Sequence, residues 1–122
     1  MRYVTSAFQE STLRRGKSLE QFLGGVFRDG ELKISWVELR PKAESIEVWL
    51  FEAPDVGNVA FTDVYEFGGE EQQSPVACLA TPAEAFSFAH AQLGASPERW
   101  VNSTLVGAEY EAFVRAGRPL RA

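Results

Sequence analysis

Two runs, Leu32–Arg40 (LKISWVELR) and Ser45–Ala53 (SIEVWLFEA), limit what this chain can fold into more than any other part of it. Both are rich in β-branched and aromatic residues and alternate in character every second position, the pattern of a strand with two distinct faces. Pro41–Glu44 between them is short enough for a hairpin between antiparallel neighbours. With Arg40 set opposite Ser45, Trp36 faces Trp49, Ile34 faces Phe51 and Glu38 faces Glu47. Side chains two apart on a strand share a face, so Val37, Leu39, Ile46, Val48 and Leu50 form one uniformly aliphatic surface. The opposite surface is aromatic and acidic.

The remaining segments extend this hairpin. Ala60–Phe67 (AFTDVYEF) has strand character, and pairing Phe61 with Phe51 places Asp63 beside Trp49 and Tyr65 beside Glu47. Further strands are predicted at Val76–Ala80 and within Tyr3–Gln9. Thr81, Pro82 and Glu84 make a capping-box start to a helix that Gly94 ends. Another helix is expected over Leu105–Ala116, closed by Gly117 and Pro119, and a short one over Ser18–Leu23, closed by Gly24-Gly25. Gly68–Pro75 (GGEEQQSP) reads as a surface loop. The predicted fold is α+β: an antiparallel β-meander of about four to five strands with two or three helices packed on one face. A length of 122 residues suits a single globular domain spanning positions 1–122.

Charge is unevenly placed. Between Ala43 and Glu98 there is no Lys or Arg, but there are ten acids, giving −10; residues 1–42 sum to +3 and residues 99–122 to +2. An acidic centre repels phosphate backbones, so nucleic acid is not an expected partner. No apolar run reaches the roughly 18 residues that span a bilayer, and the N-terminus lacks a signal-peptide pattern, so no membrane association and a cytoplasmic location are expected. The single cysteine, Cys78, lies in an apolar stretch and is expected to be a small buried hydrophobe.

The chain offers no catalytic signature. His90 is the sole histidine, which excludes a two-histidine metal site. The nucleophile elbow, the dinucleotide-binding glycine turn and the phosphate-binding loop are all missing. Neither a metal nor a cofactor is expected. The aromatic face carries the functional expectation: Trp36, Trp49 and Tyr65 as anchors, with Glu38, Glu47 and Asp63 as complementary charges toward a basic protein partner. The size, acidity and aromatic-acidic character resemble, in composition only, small bacterial proteins such as immunity proteins and antitoxins that bind and neutralise a basic partner. The alternatives are a small-ligand domain or small enzyme using a carboxylate on this face, and self-association through it. Folding of the N-terminal segment, with Phe8, Leu13, Phe22, Leu23 and Phe27, across the aromatic face would instead make it a second core layer.

Overall fold

The computed structural model describes residues 2–121. Helix α1 (Ser6–Arg14) precedes three long strands, β1 (Leu19–Arg28), β2 (Glu31–Pro41) and β3 (Ile46–Pro54). A 3-10 turn (Val64–Glu66), β4 (Ala77–Leu79), α2 (Pro82–Leu93), β5 (Val101–Asn102) and α3 (Val106–Arg115) complete the order. The strands form one five-stranded sheet, β4-β3-β2-β1-β5, antiparallel throughout. The α+β class and the meander predicted from the sequence are present, but the helices are divided between the two faces of the sheet instead of sharing one.

β1 is the element that departs most from expectation, since the sequence predicts a short helix over Ser18–Leu23. Asp29 and Gly30 both take positive φ, 53° and 80°, and form the tight turn that joins β1 to β2. An Asp-Gly pair at these positions gives the primed turn whose twist matches two flanking strands. Gly24-Gly25, read as a helix stop, is a β-bulge: the register slips between Phe22 and Gly24, and Gly24 has φ 103°. Gly25 is needed for a different reason, since a Cβ there would come within 2.7 Å of the Phe113 ring.

The β2–β3 pairing is offset by two residues from the predicted register: Trp36 lies opposite Phe51, Glu38 opposite Trp49 and Arg40 opposite Glu47. An even slip leaves every side chain on its expected face. The turn closes instead on Pro41 and Ile46, with the Lys42 N–H donating to the Ser45 carbonyl at 2.8 Å.

Ala60–Phe67 is not a strand. Asn58 and Phe61 exchange backbone hydrogen bonds in a turn, and the Asp63 carboxylate then accepts from the Tyr65 N–H to start the 3-10 turn. Its buried residues, Val64 and Phe67, are three apart, the period of a 3-10 turn rather than of a strand. The N-terminal segment also differs: only Tyr3 makes a sheet bridge, to Val101, before α1 begins.

Both faces of the sheet are covered. The aliphatic face, with Leu19, Val37, Leu39, Ile46 and Val48, packs against α1 and α2 and is joined by Leu13, Ala85, Ala89 and Trp100. α3 lies on the other face, where Val106, Tyr110 and Phe113 meet Phe22, Ile34, Trp36, Ala53, Val64 and Phe67. The cover over the aromatic face is therefore α3 and the segment around the 3-10 turn, whereas the N-terminal helix goes to the aliphatic side. Arg2, Tyr3 and Arg99 converge on the buried Glu109 of α3, and Arg118 and the Tyr110 hydroxyl converge on Asp55, fixing α3 at two points. Cys78 is exposed, correcting its expected burial: in β4 it is Ala77 and Leu79 that turn toward the core.

Candidate functional site

α3 covers only part of the aromatic face. Beyond it, β2, β3, the 3-10 turn and the Gly68–Gln72 segment enclose a cleft of ≈ 330 Å³. Its aromatic lining is Trp36, Trp49, Phe51 and Tyr65; its charged and polar lining is Arg40, Glu52, Glu70, Glu71 and Gln72. The aromatics are ordered by the strands beneath them. Trp36 and Phe51 are cross-strand partners with centroids 5.5 Å apart and nearly parallel rings, and Trp49, two residues along β3, lies almost parallel to Phe51 with centroids 6.3 Å apart. Tyr65 meets Trp36 edge-on at 5.7 Å. Such pairs contribute about 0.5–1.5 kcal/mol each beyond area burial.

The Gly68–Gln72 segment forms a strap against β3. At Gly69 a Cβ would come within 2.4 Å of the Glu52 carbonyl oxygen, a separation no side chain allows, so glycine is what lets the strap lie flush on the strand. This contact brings Glu70 and Glu71 to the aromatic wall. A second cleft, ≈ 570 Å³, shares Glu52, Gly69, Glu70 and Gln72 and adds Asp29, Glu31 and Lys33. Acids thus run across both clefts. Glu52 is 3.4 Å from Arg28 and 3.9 Å from Lys33, whereas no ion pair holds Glu70 or Glu71 among the described residues.

The six residues singled out in the sequence have separate fates. Trp36, Trp49 and Tyr65 come together in the cleft lining. Trp36 is 4% exposed and forms its floor, Trp49 is half-buried, and Tyr65 is 47% exposed. Glu38, Glu47 and Asp63 do not line this cleft and have internal work: Glu38 accepts from Arg40 at 2.7 Å, Glu47 accepts from the Trp49 indole at 3.0 Å, and Asp63 caps the 3-10 turn. The free acids come instead from the strap, which the sequence marked as a loop of acids and glycines without tying it to the aromatic face.

Behind the cleft, Glu20 on β1 lies opposite Glu38 and is nearly sealed from solvent. Its carboxylate accepts from the Tyr65 hydroxyl at 2.7 Å and from the Thr104 N–H at 2.7 Å. Burial raises the Glu20 carboxyl above its ordinary range, with these two hydrogen bonds opposing and Glu38 adding to the rise. Burial and the adjacent Glu20 charge likewise hold the Tyr65 phenol well above its ordinary range, so Tyr65 stays a neutral donor to Glu20. Glu38 raises the Arg40 guanidinium, which also sits 4.3 Å from the Trp49 ring centroid. A cation already rests on this wall, from within the chain.

One polar atom in the site lacks a partner. The Trp36 indole Nε1 is buried without any acceptor, and it is the one buried side-chain nitrogen or oxygen among the described residues in that condition. His90, by contrast, is exposed and contacts the Ala95 carbonyl through Nδ1 at 2.8 Å, a role in ending α2. Among the described residues no cluster of three or more His, Cys, Asp or Glu is arranged to hold a metal ion, and no helix is long and apolar enough to cross a membrane. Comparison with protein-family models, curated proteins and solved structures found no match.

Proposed function

We propose that this protein is a non-catalytic binding domain that engages a basic partner at the strap cleft. Trp49, Phe51 and Tyr65 supply aromatic contact, Trp36 is the floor beneath them, and Glu70 and Glu71 supply complementary charge. The observation that carries this reading is the seating of unpaired acids over an aromatic wall, a lining suited to the alkyl stems and cationic heads of Lys and Arg. The absence of any Lys or Arg from Ala43 to Glu98 leaves that charge uncompensated along the chain. A carboxylate with a raised pKa would favour chemistry if it lined the cleft, but Glu20 lies behind Tyr65 and outside the lining. Partner capture of the kind seen in immunity proteins or antitoxins is consistent with this arrangement.

The test is titration with a hexa-arginine amide peptide, followed by Trp fluorescence at low and high salt. Rim charges separated by about a Debye length, roughly 10 Å at 0.1 M salt, are screened as salt rises, so affinity is expected to fall at least about tenfold between dilute and half-molar salt. Glu70→Lys with Glu71→Lys should weaken binding similarly at low salt without altering the fold, since both side chains are exposed. Binding that ignores both salt and the double charge reversal would refute the electrostatic part of the reading.

A further inference from the structure

Trp36 gives the proposed site a more specific chemistry. A buried indole N–H almost always finds an acceptor, and leaving a donor unmet costs about 1–3 kcal/mol. Every other buried side-chain polar atom among the described residues is satisfied, including the carboxylates of Glu20 and Glu109, so the exception at Trp36 stands out against a well-paired interior. It falls on a residue that lines the cleft. Tyr65, in T-shaped contact with Trp36, is itself part of the lining and half-exposed, whereas the strands on either side of Trp36 are fixed by their ladders.

Resting on the binding reading above, we infer that the cleft takes a basic peptide segment, with a carbonyl oxygen of that segment accepting a hydrogen bond from Trp36 Nε1 while its cationic side chain lies beside Glu70 and Glu71. A cation alone has no lone pair to offer the indole, so a bare polyamine satisfies the acidic rim and leaves Trp36 unmet. A peptide satisfies both. Nε1 is buried in the free protein, so entry of the carbonyl requires the cleft lining around Trp36 to give way.

The experiment compares hexa-arginine amide with spermine, a polyamine without carbonyl groups, on 15N-indole-labelled protein. Peptide binding is expected to move the Trp36 indole N–H proton downfield and slow its solvent exchange; spermine should perturb Trp49 and leave the Trp36 signal in place. Trp36→Phe, which keeps an aromatic floor, is expected to weaken the peptide about tenfold more than it weakens spermine, the effect of one recovered hydrogen bond. Wild-type protein binding both probes with the Trp36 resonance unmoved would overturn the carbonyl inference while the cation site stands. Binding of neither probe would overturn both. Should Trp36→Phe fail to fold, the wild-type indole resonance decides alone.

Discussion

The two faces of the sheet are built from the same three strands and do different things. On the aliphatic face Leu19, Val37, Leu39 and Val48 are completely buried beneath α1 and α2. On the aromatic face α3 seals one part, with Tyr110 and Phe113 against Phe22, while Trp49 and Phe51 remain half-exposed beside the strap. On the first face the buried polar side chain of Gln21 is hydrogen-bonded to Ser96 through both its amide oxygen and its amide nitrogen, whereas the second face holds an unmet indole and unpaired acids. The contrast separates stability from recognition: one face should be sensitive to lost volume, the other to lost charge and shape.

The largest expected effect comes from breaking the first face. Leu39→Ala removes a side chain with no exposure and should destabilise by about 3 kcal/mol in urea unfolding, with peptide affinity of the folded protein unchanged. Gly69→Val breaks the second face. The added side chain cannot fit against the Glu52 carbonyl, so the strap must lift. The expected result is a stability loss of about 1 kcal/mol, since the strap buries little, together with loss of most hexa-arginine binding. A variant that kept full affinity would show that the strap acids play no part.

A smaller effect sharpens the comparison at the site's rear. Burial raises the Glu20 carboxyl above its ordinary 4.5, so the folded chain holds that proton more tightly than the unfolded chain. The stability linked to it is fully present below the ordinary value and is lost as pH rises through the raised one. Glu20→Gln keeps an oxygen to accept from Tyr65 and Thr104 but cannot ionise. It should therefore gain on the wild type near neutral pH and lose that gain as pH falls below 4.5, read from urea midpoints at both.

The faces of β2 and β3 were legible because alternation in LKISWVELR and SIEVWLFEA survives a two-residue slip of register. Helices α2 and α3 were legible from their caps and stops; Thr81 accepts from the Glu84 N–H, and Gly94 ends α2 in the left-handed region. β1 was hidden because Gly24-Gly25 imitates a helix stop, although Asp29-Gly30 after Phe27 and Arg28 is a hairpin signal that would have located it. In Ala60–Phe67 the aromatic content outweighed the Asp63 cap and the three-residue spacing of Val64 and Phe67. For the site, the tryptophans were legible as one face. Engagement of Glu38 by Arg40, two residues along the same face of β2, was there to be read in the spacing, whereas delivery of Glu70 and Glu71 by the strap depends on contacts that spacing does not encode.

The central claim is that the aromatic face is open at Trp49 and that a basic peptide closes it. Trp36 and Trp100 are 4% and 1% exposed, which leaves Trp49 as the accessible fluorophore. Acrylamide quenching of the wild type and of Trp49→Phe, each with and without hexa-arginine amide, tests this directly. The account predicts that Trp49 carries most of the quenchable emission, that Trp49→Phe removes it, and that the peptide protects it in the wild type. Equal quenching of the wild type and Trp49→Phe, or quenching of Trp49 unchanged by saturating peptide, would contradict it.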